Sequence, residues 1–323
     1  GRLVAALKHL GFDYVFDTSF TADLTIMEEG TELLERLGVK EGSNEPGPLP
    51  LFTSCCPGWV RFAKTQYPEL LPNISSAKSP QQMFGAVAKT YYAQILDVPA
   101  DKIAVISIMP CTAKKYEAGL SVMNQAGSGQ DVDLVLTTRE MCAMIKEEGV
   151  QAQLLPEEEW DTPLGVSSGA GVIFGATGGV MEAALRTAYA LVTGQNPEPD
   201  AFTEVRGLEG WKEGKFVLPG KTLRVAVVHG LGNARKLIEA IKQGEVEYDF
   251  VEVMACPGGC AGGGGQPISV DDEERAGARS QVLYALDDKA AVRFSHENPA
   301  IKEIYEKFLG EPGSELAHKL LHT

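Results

Sequence analysis

Cysteine is scarce in this chain: six residues in 323, at positions 55, 56, 111, 142, 256 and 260, too few and too unevenly spaced for a disulfide scaffold. A reducing cytoplasm is therefore the expected setting, where clustered thiols do metal or redox work. Positive charge is also short. Twenty-nine Lys and Arg against 44 Asp and Glu leave a formal charge of -15. That argues against a nucleic-acid or anionic-membrane partner, both of which need clustered cations to meet phosphate. No apolar run reaches the roughly 18 residues of a membrane span, and no charged n-region with an h-region opens the chain, so a soluble protein is expected. Internal repeats are lacking, and low complexity is confined to "GGCAGGGG".

What is present is a chain 44% hydrophobic, long enough to bury one large two-lobed core or two ordinary domains. It begins without Met in "GRLVAALKHLGF", where Leu3, Leu7 and Leu10 already keep helical spacing. A piece of a longer protein is the expectation. Several β-branched runs end at a loop before a helical period: "FDYVFDT" (12–18), "KIAVISIM" (102–109), "DVDLVLTT" (131–138), "TLRVAVVHG" (222–230) and "YDFVEVM" (248–254). Near-continuous apolar strands alternating with helices predict an α/β fold of two lobes, each a mostly parallel sheet flanked by helices, with the active site buried between them. The segments 154–163 and 194–221 read as surface excursions, and 1–323 as a single catalytic domain.

In such folds ligands sit at the carboxyl ends of strands, where Cys55 and Cys56, Cys111, and Cys256 fall. Cys142, inside a helical stripe, reads as a small buried hydrophobe without function. Four of the remaining thiols suit zinc or an iron-sulfur cluster, but only Cys256 and Cys260 form a short-spaced pair, which disfavours zinc. The five histidines fall outside every cysteine motif. In extended chain, Cys55 and Cys56 point to opposite faces, so one can be a ligand and the other something else; a vicinal disulfide or an inert packed thiol are the alternatives. The glycines of "FVEVMACPGGCAGGGGQP" (250–267) let backbone approach a ligand closely. In "MPCTAKKYE" (109–117), Lys114 and Lys115 lie three and four residues after Cys111, within reach of an anionic group. In "LTIMEEGTELLERLG" (24–38), Glu29 precedes Leu33 and Leu37 on the apolar stripe, Glu32 stands at its edge and Arg36 one turn beyond. A buried carboxyl there would hold a proton near neutrality, although most such runs are solvated faces. "HGLGNARKL" (229–237) lacks the third glycine of a dinucleotide turn and is discounted.

"TSCCPGW", "MPCTAKKYE" and "VEVMACPGGCAGGGGQP", with "SSAKSPQQ" (75–82) and "GAGVIFGATGGVMEAALR" (169–186), closely resemble, in order, the signature stretches of the iron-only (FeFe) hydrogenases. The resemblance implies a 4Fe-4S cluster on Cys56, Cys111, Cys256 and Cys260, with Cys260 bridging to a diiron subcluster that carries CO, CN and azadithiolate, together the H-cluster. It implies a free thiol at Cys55 and a proton route from Cys55 through a water to Glu29, Ser75 and Glu32, with Arg36 near the exit. Lys114 matches a lysine that bonds a cyanide, and Ser79, Pro80, Gln81, Met109, Phe174 and Met254 match residues lining the diiron pocket. The implied activity is reversible H2 cleavage in an anaerobe's cytoplasm, with protons and H2 as substrates. Ferredoxin or another carrier would serve through N-terminal iron-sulfur domains, and maturation proteins would install the cofactor. The loop 38–52 is roomier than the motif needs. The alternatives are a non-catalytic iron-sulfur assembly relative and a hydrogen sensor of the same fold; the thiol at Cys55 favours turnover. A structural zinc protein is the remaining rival.

Overall fold

Period-two alternation along buried strands decides how the larger sheet packs. In the computed structural model, which describes residues 1–39, 47–218, 221–268 and 274–323, β6 (Phe250–Met254) is buried along its whole length. Phe250 and Met254 face one apolar cluster while Val251 and Val253 face another. β5 (Lys221–His229) repeats the pattern, with Leu223, Val225 and Val227 on the first side and Ala226 and Val228 on the second. The helix Gly179–Thr193 covers the first face through Ala183, Ala184 and Leu185; Trp59, Ala63, Leu237 and Ile238 cover the other. Covering both faces is what a run of consecutive apolar residues requires of a parallel strand.

The sheet has the order β1-β6-β5-β4, with β1 at Leu51–Phe52 and β4 at Trp211–Leu218. β1 and β5 run parallel to β6, and β4 closes the edge antiparallel to β5. A second, two-stranded parallel sheet pairs β2 (Ile106–Met109) with β3 (Leu134–Thr137), Ile106 opposite Leu134. The α/β architecture of parallel sheets and helices is as the alternating pattern implies. An 18-residue helix, Ser19–Arg36, runs through the middle with 14 of its residues buried, among them Asp23, Glu28 and Glu29.

Three expectations give way. Residues 12–18 form no strand: the Val15 amide donates to the Asp161 carboxylate at 2.7 Å and its carbonyl accepts from the Asp161 amide at 2.9 Å, so a loop takes the bonds a ladder would have used. The segment 194–221 is no mere excursion, because it supplies β4 and buries Phe202, Val205 and Phe216 in the main core. Cys142 lies on the solvent face of the helix Thr138–Glu147 and is exposed. Residues 40–46 of the roomy loop at 38–52 lie outside the described residues.

The chain's last part is tied down by buried acids. Asp287, in the helix Ala276–Lys289, accepts from Arg186 at 2.8 and 3.0 Å, from Arg293 at 2.7 Å and from Arg206 at 3.3 Å. Glu182 takes the remaining faces of Arg186 and Arg206 at 2.6 Å each. Asp23 accepts from Ser168, Ser295 and Asn298 at 2.5 to 2.8 Å. Burial raises its pKa, and those three donors pull it back.

Candidate active site

Parallel strands end on the same side, and the thiols sit on those ends. After β1 the chain passes Ser54 and Cys55 and reaches Cys56, the extended N-cap of the helix Pro57–Gln66, with Pro57 in the first helical position where it forfeits no hydrogen bond. Trp59 Nε1 donates to the Thr53 carbonyl at 3.0 Å, and the Val253 amide donates to Thr53 Oγ1 at 3.1 Å, so this turn is pinned to β6. Cys55 is buried, while Cys56 Sγ accepts from the Ala255 amide at 3.3 Å. The two neighbours therefore occupy different surroundings.

Cys111 follows β2, and the glycine run from the other sheet packs directly on it. A Cβ at Gly265 would stand 2.7 Å from the Cys111 nitrogen and 2.8 Å from the Pro110 carbonyl carbon. The Gly265 amide donates to the Pro110 carbonyl at 3.0 Å, so only glycine lets the two loops close. Gly259, between Cys256 and Cys260, has φ +77 and would place a Cβ 2.7 Å from the Thr177 nitrogen. The Gly258 amide donates to His229 Nδ1 at 3.2 Å, leaving the buried His229 Nε2 without a partner.

The four thiols at 56, 111, 256 and 260 sense one another. Burial pushes the Cys260 thiol up, Cys56 and Cys111 push it further, and the Lys114 ammonium opposes them. Burial likewise raises Cys56 and Cys256, with the Cys111 thiol adding to each. Among the described residues no three Cys, His, Asp or Glu side chains converge as a single metal ion would need. A four-iron cluster asks for one thiolate at each of four separate corners, and its positive charge would reverse the penalty on these thiolates. The donor set, the backbone close approach at Gly265 and the orphaned His229 nitrogen fit such a cluster.

The proton-bearing groups form a line on the central helix. Glu29 Oε1 accepts from the Ser54 amide at 3.2 Å, one residue from Cys55, and Oε2 has no partner. Burial, with the Glu32 charge adding, raises its pKa to about 8 against the pull of Ser54 and Ser75. The Cys55 thiol is raised well above its ordinary value by burial first and by Glu29 second. Ser75 Oγ gives its hydrogen to Glu32 Oε2 at 2.7 Å, and Glu32 Oε1 pairs with Arg36 at 2.6 Å. Arg36 also donates to the Pro48 and Pro72 carbonyls at 3.1 and 2.9 Å. Glu32 and Arg36 are partly exposed, while Glu29, one turn earlier on the same helix, is buried.

Of the expected pocket residues, Phe174 and Met254 share the apolar cluster that contains Cys55. Met109 packs instead against the Ala88, Val105 and Val135 cluster behind β2. Pro80 opens the helix Pro80–Val87. Ser79, Gln81 and Lys114 gather around Glu117, a buried carboxylate that sequence reasoning passed over although it stands three residues after Lys114. Lys114 Nζ also donates to the Cys55 carbonyl at 2.9 Å. Burial acts to lower the Lys114 pKa, but Glu117 and the Cys111 and Cys55 thiols outweigh it, and the net shift is upward. Also missed were Gln82, buried with both amide atoms unpartnered, and Glu252, whose carboxylate accepts from the Gly178 and Met181 amides at 2.7 Å at the start of the Gly179–Thr193 helix. Burial raises Glu252 to about 7. A second polar string leaves Glu32 through Ser76 Oγ to His322 Nδ1 at 2.8 Å, then from His322 Nε2 to Glu28 at 2.9 Å, with Tyr305 donating to the same carboxylate. No short-range pattern announces contacts between residues so far apart in sequence.

Residues 1–264 match the family described as iron only hydrogenase large subunit, C-terminal domain, and residues 273–323 match iron hydrogenase small subunit. The chain is 54% identical over 323 residues to the NADP-reducing hydrogenase subunit HndD of Solidesulfovibrio fructosivorans, covering all of this chain and 55% of that protein. It is 46% identical to iron hydrogenase 1 of Clostridium pasteurianum, covering 100% of this chain and 56% of the relative. The chain thus spans about half the length of these two curated relatives. The cytosolic iron-sulfur assembly component 3 of Mus musculus is 34% identical over 328 residues, with 100% and 68% covered. Among solved structures, the FeFe-hydrogenase HydA(deltaEFG), described with stepwise H-cluster assembly, superimposes with a TM-score of 0.84 at 46% identity, covering 100% of this chain and 86% of that one. No helix among the described residues is long and apolar enough to cross a membrane.

Proposed function

Because the chain belongs to the iron-only hydrogenase family, we propose that it carries the catalytic site for reversible conversion of H2 to two protons and two electrons. The observation that supports this most is the buried Glu29 carboxyl, which accepts from the Ser54 amide next to the buried Cys55 and stands one helical turn before the bonded group Ser75, Glu32 and Arg36. Cys56, Cys111, Cys256 and Cys260 would hold the 4Fe-4S cluster, with Cys260 bridging to a diiron subcluster bearing CO, CN and azadithiolate. When bound, that group supplies the heterolytic cleavage of H2 and stores the electrons.

The protein's part is position, exclusion of water and proton traffic. Phe174 and Met254 close the apolar side around Cys55. Cys55 Sγ is the first protein atom to take or give the proton: burial keeps it a neutral thiol, able to donate, and a carboxylate nearby can accept. Glu29, with a pKa of about 8, is mostly protonated near neutrality with roughly one carboxyl in ten vacant, so it can donate and still accept. The Ser75 hydroxyl, bonded to Glu32, would take a proton from Glu29 on its oxygen lone pair as it gives its own hydrogen to Glu32, and rotation of the new O-H would then reset it. Glu32 delivers it to the surface, where Arg36 keeps the carboxylate oriented. Lys114 offers a cationic donor to an anionic ligand of the diiron unit. Electrons would arrive from ferredoxin or another carrier in an anaerobe's cytoplasm, and maturation proteins would install the diiron unit.

An assembly-type relative would hold clusters with the same thiols but has no use for a buried proton line ending on a free thiol. The test is anaerobic rebuilding of the 4Fe-4S cluster in the full-length protein, addition of a synthetic azadithiolate diiron complex, and assay of H2 evolution from reduced viologen. Evolution that collapses in Cys55→Ala and Glu29→Gln while the cubane signal persists is expected. Full activity in Cys55→Ala ends the relay reading, and zinc at one per chain without iron ends the hydrogenase reading.

A further inference from the structure

Three pocket residues share one anchor. Glu117 Oε2 accepts from Ser79 Oγ at 2.8 Å, from Lys114 Nζ at 3.0 Å and from Gln81 Nε2 at 3.2 Å, while Oε1 faces the same ammonium at 3.3 Å. The Lys114 ammonium and the Gln81 NH2 can only donate to this buried carboxyl, and the Ser79 hydroxyl donates as well, a setting suited to an acceptor. Glutamine there would turn an NH2 toward an ammonium or an amide. The partners are themselves committed. Ser79 stands at the N-cap of the helix Pro80–Val87, yet its side chain makes no cap and goes to Glu117 instead, forgoing a local stabilisation. Gln81 has its amide fixed at both ends, by Ser107 Oγ at 2.8 Å on the oxygen and by Glu117 and the Lys114 carbonyl on the nitrogen. Lys114 has three N-H donors; one goes to the Cys55 carbonyl, and one, shared between the two carboxylate oxygens at 3.0 and 3.3 Å, goes to Glu117. One donor is left, with its direction set by the other two.

We propose that Glu117 is the positioning residue of the diiron pocket, fixing Lys114, Ser79 and Gln81 together and leaving Lys114 a single aimed donor for one anionic ligand of the cofactor. This rests on the hydrogenase reading above. Glu117 makes no contact with the reacting atoms; it acts through the residues it holds, and it ties their geometry to the backbone of Cys55.

The test uses the full-length protein carrying its rebuilt 4Fe-4S cluster, as wild type, Glu117→Gln and Glu117→Asp, each loaded with the synthetic diiron complex. Infrared cyanide stretching bands report the donor on the ligand, iron content and the cubane's paramagnetic signal report the cluster, and H2 evolution reports turnover. In Glu117→Gln the cyanide bands shift or split and diiron loading falls about tenfold, the scale of one lost charge-assisted hydrogen bond, while the cubane is unchanged. Glu117→Asp, which keeps the charge on a shorter stem, gives an intermediate shift and partial recovery; it carries the test if the glutamine variant misfolds. Cyanide bands and loading identical to wild type in both variants overturn the inference. A wild-type protein that takes up no diiron complex overturns the hydrogenase reading and this inference with it.

Discussion

Replacing Glu29 by Gln changes the pH dependence of stability in a way the structure sets in advance. In the folded protein the carboxyl is fully buried, accepts one hydrogen bond, from the Ser54 amide, and has a pKa of about 8 against 4.5 for an ordinary glutamate. A raised carboxyl favours folding while it is protonated in both states, so its contribution is complete below about pH 4.5 and is lost as pH climbs toward 8. A tenfold change in acidity corresponds to about 1.4 kcal/mol, so the whole interval is worth on the order of 4 to 5 kcal/mol, an upper figure that relaxation of the site reduces. Glutamine has the shape of the protonated acid and does not titrate. The midpoint of thermal unfolding of the cluster-free protein, measured from pH 5 to 8.5, should therefore fall more steeply in wild type than in Glu29→Gln, the extra fall being roughly 5 to 10 °C. Every other titrating group is common to both proteins and cancels in the comparison. Parallel curves would refute a buried, proton-holding Glu29.

Other substitutions probe different parts of the molecule. Gly265→Ala pushes a methyl to within 2.7 Å of the Cys111 nitrogen, so the two loops separate and iron bound per chain after reconstitution falls, without a comparable loss of secondary structure by circular dichroism. Asp287→Ala leaves Arg186, Arg206 and Arg293 short of a buried partner and should cost about 3 to 5 kcal/mol, read as a lowered unfolding midpoint. Glu252→Gln replaces one of two acceptors that meet the Gly178 and Met181 amides; with a folded pKa of about 7, the wild-type acid's protonated-form stability is lost as pH rises from 4.5 through 7, and the variant lacks that slope, so its unfolding midpoint lies furthest below wild type near pH 5 and the gap narrows by pH 8.

The α/β class was legible because β5 and β6 are continuous apolar runs, and a chain can bury such a run on both faces only inside a sheet. Glu29 was legible as well, since helical spacing alone puts it on the stripe of Leu33 and Leu37. The strand expected at 12–18 failed because its backbone partner, Asp161, is nearly 150 residues away and is a loop residue. β4 was hidden by the charges and the glycine in "WKEGKFVL", where Glu213 and Lys215 face solvent and only Phe216 and Leu218 are fully buried. Cys142 was misjudged since a thiol in a helix carries no mark of which side it faces. Glu117 shows the limit most clearly: its spacing from Lys114 was visible, but its bonds to Ser79 and Gln81 arise from tertiary contact.

The central helix Ser19–Arg36 carries Glu29, Glu32 and Arg36, and its geometry works as a ruler. At about 1.5 Å per residue the two carboxylates are offset by about 4.5 Å along the axis, and Arg36 by about 6 Å more. The spacing of these groups toward the surface is thus counted in helical residues, with Ser75 meeting Glu32 from outside the helix. One residue inserted between Glu29 and Glu32 would leave the helix intact yet rotate everything on one side by about 100°. The reading frame of that helix, more than the identity of any one rung, is what a change of sequence there has to preserve.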